Sequence, residues 1–279
     1  MIYIIIAAIM WGCSFPVITY ALRDISPILF VFLRFVMSFI LLIPFSKSKK
    51  DLRSIFRLDI LLIGLLPALA YVLQFKAQEL TTASKTSIFV NLTPVFVAIL
   101  NPFLVKTTLN RYQLFALILA ISGVIITSTN LEFSEITDVT IGDGLNLGVS
   151  LLWSIFIIYS KTIIEKYGDL SFNLAIYFWI SLTALIFLPL EEIRFSIHAI
   201  PSILFLTIFA TIAAFFLYTK GIKTVSAFST SIVFLGEIIV AGAISYFFLN
   251  ERFTLIESIG TILIVCGVLT VARAERVSH

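Results

Sequence analysis

An all-α integral membrane protein, with ten transmembrane helices arranged as two inverted five-helix repeats, is the fold this sequence predicts. Three observations carry that expectation. The 279 residues are 60% hydrophobic and only 13% charged, with a mean hydropathy of +1.10, far too little polar surface for a soluble domain of this size. Apolar runs long enough to cross a bilayer recur along the whole chain. Finally, the second half repeats the register of the first at an offset of 144 residues.

In order, the apolar segments are Ile2–Leu22, Pro27–Phe45, Ile60–Leu80, Thr82–Val105, Tyr112–Thr129, Leu145–Ile164, Phe172–Pro189, Ile200–Thr219, Val225–Leu249 and Leu255–Ala272. Lipid offers no hydrogen-bond partners to an open backbone, so each is expected to be a helix. The first starts MIYIIIAAIMWG, without the basic stretch of a cleavable signal, and reads as a retained membrane helix. The links are short except Ser46–Asp59 and the acidic Asn130–Gly144, and no separate soluble domain fits between them.

The offset of 144 runs without a gap from the third to fifth helices onto the eighth to tenth. Leu73 meets Leu217, Lys76 meets Lys220, Ala83 meets Ala227, Thr86-Ser87-Ile88 meets Thr230-Ser231-Ile232, and Gly123-Val124 meets Gly267-Val268. The expected division is 1–129 for the first repeat, 142–273 for the second and 130–141 for an extracytoplasmic linker. Five helices per repeat would invert the second relative to the first, a recurring plan of secondary transporters. With the N-terminus inside, 13 of the 19 Lys and Arg fall on inner segments, five on the outer side and its margins, and Arg34 within the second helix. That asymmetry places both termini in the cytoplasm of a cell-membrane protein.

Cys13 and Cys266 both fall in apolar segments and read as small packing residues. The basic residues are too scattered for nucleic acid. The two histidines stand far apart, and no metal-binding, phosphate-cradling or nucleophile-elbow motif is present. No cofactor, no metal and no enzymatic activity are expected.

Glu237 is the residue that points hardest to function. It sits in the middle of the ninth segment, where a charge costs roughly 2.5–3.5 kcal/mol to insert. A carboxyl facing the bundle interior can take up and release protons, or neutralise a cationic substrate. The competing reading is a structural carboxyl bonded to a neighbouring helix. Arg34 lies seven residues into the second helix, or ~10 Å at the helical rise. It fits a contact to a substrate anion, a pair with Glu237, or a side chain that snorkels to the interface.

In the fourth helix Ser84, Ser87, Asn91, Pro94 and Asn101 recur at helical spacing. Asn91 and Ser87 are candidates for a cavity or for helix–helix contact. Pro94 should free a carbonyl one turn earlier and bend the helix. Tyr71 and Gln74 in the third helix match Phe215 and Tyr218 in the eighth; with Trp11, Trp153 and Trp179 they form a candidate aromatic cavity wall, although such rings also gather at interfaces. Lys85 is expected to snorkel at the outer margin, with a gate or an anion contact as the alternative. Gly144 and Gly148 suggest a close helix contact, and Ala116, Gly123, Gly260 and Gly267 an internal or dimeric seam.

These residues, as an ordered set, resemble the drug/metabolite transporter superfamily, in particular its ten-helix members with two EamA-type domains. The matching positions are Trp11-Gly12, Phe15-Pro16, Arg34, Ala83-Ser84-Lys85, Thr93-Pro94-Val95, Glu237, Leu249-Asn250-Glu251-Arg252, Gly260 and Gly267. The departures are Thr107, Ile238 and Ser154, where the family more often carries glutamate, proline and glycine. The resemblance implies a secondary transporter that moves a small organic metabolite, an amino acid or related compound, outward by alternating access. The expected partners are that metabolite, the lipid bilayer and protons, in a monomer or homodimer. The alternatives from other classes are a channel, a non-transporting scaffold or an intramembrane enzyme.

Overall fold

The computed structural model describes residues 1–46, 49–132, 138–249 and 254–277. Lys47, Glu135, Asn250, Glu251, Arg252 and His279 lie outside them, as do the side chains of Lys49, Lys50, Ala83, Ser84, Leu249 and Arg276. Among the described residues, ten helical spans are long and apolar enough to cross a membrane: Ile2–Ala21, Pro27–Phe45, Leu58–Gln78, Lys85–Leu104, Arg111–Thr129, Ile141–Tyr167, Asp169–Leu190, Ile197–Ile222, Ala227–Ile244 and Leu255–Glu275. The outward faces are apolar, as a bilayer demands; Phe103 is 80% exposed and Ile262 60%.

The third span packs on the sixth and seventh, the second on the seventh, the first on the eighth and ninth, and the fifth on the tenth. Small residues set the last contact. A Cβ on Gly123 would stand 2.6 Å from the Gly260 carbonyl, and one on Gly267 would stand 2.9 Å from Ala120 Cβ. The Gly123/Gly260/Gly267 seam is therefore internal. Gly144 and Gly148 have nothing within 4 Å, so the close contact expected there does not form. The tight approach is made instead by Gly142, whose Cβ would stand 2.8 Å from the Ala77 carbonyl.

Two segments expected as single helices are broken. The fourth runs as Ala83–Val90 and Thr93–Leu104, the ninth as Ala227–Phe234 and Gly236–Leu249. Proline explains the first break. Pro94 lacks the N–H that would bond Val90, and the Thr93 hydroxyl donates to that carbonyl at 2.9 Å instead. The break also interrupts the single polar face expected from Ser84 to Asn101. The interruptions, near Asn91 and at Leu235, are 144 residues apart, the offset of the sequence repeat. The eighth span hides a different irregularity, a π-helix over Leu206–Ala213, with no proline inside it.

The two halves are tied at both ends of the bundle. At one end Ile25 pairs with Phe195 in an isolated antiparallel bridge, and the Ser26 N–H donates to the Arg194 carbonyl at 2.9 Å. The Glu191 carboxylate accepts from the Ile28 and Leu29 amides, at 3.0 and 3.3 Å. These are free amides at the positive end of the second helix, where an anion is favoured. At the other end Asp59 holds Lys166 at 2.5 Å and accepts the Tyr167 hydroxyl at 2.8 Å.

Candidate functional site

Seven aromatic rings from five helices close into a circuit at the centre of the bundle. Tyr71, Trp153, Phe156, Tyr218, Phe215, Tyr177 and Phe35 follow one another, with successive centroids 5.3 to 6.3 Å apart and the last returning to the first. Such spacing favours tilted and edge-on packing, which is what most of these pairs adopt. Trp11 joins from the first helix, 5.2 Å from Phe215 and 6.0 Å from Tyr218. Phe35, Tyr177, Phe215 and Tyr218 are buried, whereas Trp11, Tyr71, Trp153 and the nearby Gln74 keep accessible surface. Trp11, Tyr71, Trp153 and Tyr218 therefore lie together in this layer, with Tyr218 buried in it. Trp179 is not part of it: its Nε1 donates to the Ile55 carbonyl at 3.0 Å, and its ring lies against Gly64.

The π-helix anchors this layer. Widened i→i+5 turns leave carbonyls off the regular ladder, and side chains take them up. Trp11 Nε1 and Arg34 Nη2 converge on the Ala210 carbonyl at 2.8 and 3.2 Å. Arg34 Nε donates to Thr211 Oγ1 at 2.6 Å, and the Tyr177 hydroxyl donates to the Thr211 carbonyl at 3.1 Å. Arg34 thus does not snorkel. It is 3% exposed, with its guanidinium 5.4 Å from the Phe35 ring, and no carboxylate pairs with it among the described residues.

Glu237 begins the second piece of the broken ninth helix. It is half-buried, and its carboxylate makes no hydrogen bond or ion pair among the described residues. Its backbone carbonyl faces Gly12: a Cβ there would stand 2.9 Å from it and 2.6 Å from Val240 Cβ. The first and ninth helices can approach this closely because residue 12 has no side chain. Gly12 follows Trp11, so one turn of the first helix links Glu237 to the carbonyl that Arg34 holds. Tyr71 lies within electrostatic reach of both charges. Glu237, Arg34, Trp11, Tyr71, Trp153 and Tyr218 therefore share one neighbourhood.

Asn91 and Ser87 belong to a different one. Asn91 Nδ2 donates to the Ser87 carbonyl of its own helix at 2.6 Å, and Ser87 accepts the Ser128 hydroxyl of the fifth helix at 2.9 Å. Both side chains are engaged, Asn91 within its own helix at the break and Ser87 across to the fifth helix. A groove of 920 Å³ opens elsewhere, between Pro27–Ile28, Val72–Lys76 and Glu191–Arg194. It includes neither Glu237 nor any ring of the circuit.

Lys85 also departs from expectation. It is buried, paired with Asp143 at 3.3 Å, and donates to the Asp138 carbonyl. Sequence reading passed over Asp143, although Thr140-x-x-Asp143 carried a signal. The pair forms a capping box in which each side chain accepts from the other's backbone amide. Ala210 and Thr211 carried none, because a π-helix leaves no periodic trace in an apolar run.

Comparison with known proteins adds family information. The profile of the EamA-like transporter family matches the chain twice, over residues 1–129 and 140–273. An uncharacterized transporter of Archaeoglobus fulgidus is 27% identical over 281 residues, covering 96% of either chain. The uncharacterized transporter YoaV of Bacillus subtilis is 24% identical, covering 96% of this chain and 94% of its own. A protein of known crystal structure shares the fold with a TM-score of 0.80 at 15% identity, covering 99% of this chain and 98% of its own.

Proposed function

The chain belongs to the EamA-like transporter family, and from that premise we propose that it is a secondary transporter working by alternating access. It is a multi-pass membrane protein whose relatives are named transporters. In this reading it moves a small organic metabolite, an amino acid or related compound, out of the cell across the plasma membrane, with both termini in the cytoplasm. Residues 1–129 and 142–273 act as repeats joined by the 130–141 linker. Five spans in each turn the second over relative to the first.

Glu237 carries the mechanism. It is a half-buried acid without a hydrogen-bond partner among the described residues, placed where a membrane helix breaks beside the aromatic layer. An acid at such depth is a functional candidate by default. Broken helices in transporters characteristically meet the substrate or coupling ion near the midplane. Glu237 exchanges a proton with whichever side is open and releases it when the substrate takes its place. Tyr71, Trp153, Trp11 and Gln74 line the path. Arg34 holds the wall in shape from behind and sets the positive potential that an anionic group meets. Asn91 and Ser87 keep the fourth helix broken at the matching level.

The test is flux in proteoliposomes loaded with a mixed amino-acid and metabolite pool, with and without an imposed pH gradient, for wild type and Glu237→Gln. Gradient-driven movement of a compound in wild type that disappears in the variant is the expected result. Flux that ignores both the gradient and the substitution would reduce Glu237 to a structural carboxyl and the protein to a facilitator.

A further inference from the structure

The buried pair Lys85–Asp143 does work that the central layer does not explain. Lys85 lies in the first turn of the first piece of the broken fourth helix, and Asp143 in the first turn of the sixth; each side chain is at most 5% exposed. The lysine has two oxygens, Asp143 Oδ2 and the Asp138 carbonyl. The carboxylate is saturated in turn: Thr81 Oγ1 donates to Oδ1 at 2.5 Å, and the Thr140 amide to Oδ2 at 2.8 Å. One turn further in, Asn146 Nδ2 donates to Thr86 Oγ1 at 3.1 Å. Gly142 lets the two backbones meet without a side chain between them. The Lys85–Asp143, Thr81–Asp143, Asn146–Thr86 and Gly142–Ala77 contacts join the first matched half to the second.

The opposite end of the bundle is built differently at the same register. Thr82 and Ser226, 144 residues apart, cap the two broken helices in the same way, each accepting the amide three residues on. At the position matching Lys85 stands Ser229, which donates to Glu275 at 2.5 Å, as Ser226 also does. Those bonds stay inside the second half. Asp59–Lys166 also joins the halves at that end, but its side chains are 34% and 55% exposed; among the described residues, the buried inter-half ion pair is a feature of one mouth.

The geometry points to Lys85–Asp143 as an inter-half latch that closes the mouth bounded by residues 81–86 and 138–146, and whose rupture opens the path to the break at Asn91. A buried ion pair is suited to this. Two charges that satisfy one another are tolerated away from water, whereas losing one partner leaves the other uncompensated and drives the mouth open to hydrate it. The role of the latch rests on the alternating-access reading, but its test needs no substrate and therefore fails or succeeds independently of it.

The reporter is Asn91→Cys in a Cys13→Ala/Cys266→Ala background, and the measurement is its labelling rate by a membrane-impermeant maleimide. The reagent is applied to intact cells and, separately, to inside-out vesicles. Lys85→Gln and Asp143→Asn should each speed labelling at least tenfold on the face bearing residues 138–143 and not on the other. The double variant should be no faster than either single one, because the two residues act as one contact. Unchanged rates in both single variants, or a double variant whose acceleration is the product of the two, would overturn the latch. Should Asp143→Asn fail to fold because the sixth helix loses its cap, Lys85→Gln set against Lys85→Arg gives the same comparison. Arginine should keep labelling slow; equal acceleration by both counts against the proposal.

Discussion

Replacing Gly123 by alanine tests the packing logic of the bundle most directly. The added Cβ would sit 2.6 Å from the Gly260 carbonyl oxygen and 2.8 Å from the Ile264 amide nitrogen, against an ordinary contact distance of 3.4 Å or more. The fifth and tenth helices would have to separate by 3.4 − 2.6, about 0.8 Å; Ile264 Cγ1 at 2.8 Å can move, but the other two obstructing atoms are backbone, so no rotamer change relieves them. Overpacking of this kind costs about 1–3 kcal/mol. Alanine returns up to about 1 kcal/mol through its higher helix propensity. The expected net loss is ~1–2 kcal/mol, or roughly a five- to thirtyfold fall in the folded-to-unfolded ratio. Gly148→Ala is the control: nothing lies within 4 Å of its Cβ position, so stability should hold or rise slightly. Both variants would be followed by circular dichroism during SDS titration in mixed micelles. Equal losses for the two, or wild-type stability for Gly123→Ala, would refute the close-approach argument.

Trp11→Phe keeps the ring contacts but removes the hydrogen bond to Ala210, which Arg34 still serves; the melting curve should report a loss of about 1 kcal/mol, and no shift would mean that the bond carries nothing. Arg34→Lys cannot span both Thr211 Oγ1 and the Ala210 carbonyl, so about 2 kcal/mol of stability should go; an unchanged melting temperature would show that the guanidinium is not an anchor. For orientation, a cysteine at the exposed Val139 should be labelled from outside intact cells and one at the exposed Arg57 should not. The reverse pattern would invert the assigned topology.

The ten spans were legible because hydropathy at membrane depth is dictated residue by residue: lipid excludes what it cannot solvate. Glu237, Trp11, Tyr71 and Trp153 were legible for a related reason, since charges and large amphipathic rings are conspicuous in an apolar run. What the sequence hid depends on three-dimensional context. Lys85 and Arg34 looked like snorkelling side chains because their depth was measured along one helix, while their partners, Asp143 and Thr211, lie 58 and 177 positions away. Gly144 and Gly148 matched a contact pattern, but no neighbour comes within 4 Å of either Cβ position. The break in the fourth helix was half visible through Pro94. The matching break at Leu235 has no proline, and the repeat register alone could have suggested it.

The two ends of the bundle are sealed by unlike chemistry, a buried ion pair between halves at one, and at the other the exposed Asp59–Lys166 pair with serine–carboxylate hydrogen bonds. Unlike seals respond to different conditions. The free energy of taking charges out of water becomes less unfavourable on heating, which acts on the buried pair, whereas an exposed pair and a hydroxyl-to-carboxylate bond have little ionic desolvation to relieve. Under the alternating access proposed above, warming the membrane strengthens one closure relative to the other and shifts how long the protein dwells facing each side. In such a machine the forward and return strokes carry separate temperature coefficients. The steady-state rate then passes from the control of one stroke to the other at a definite temperature, visible as a bend in an Arrhenius plot of flux.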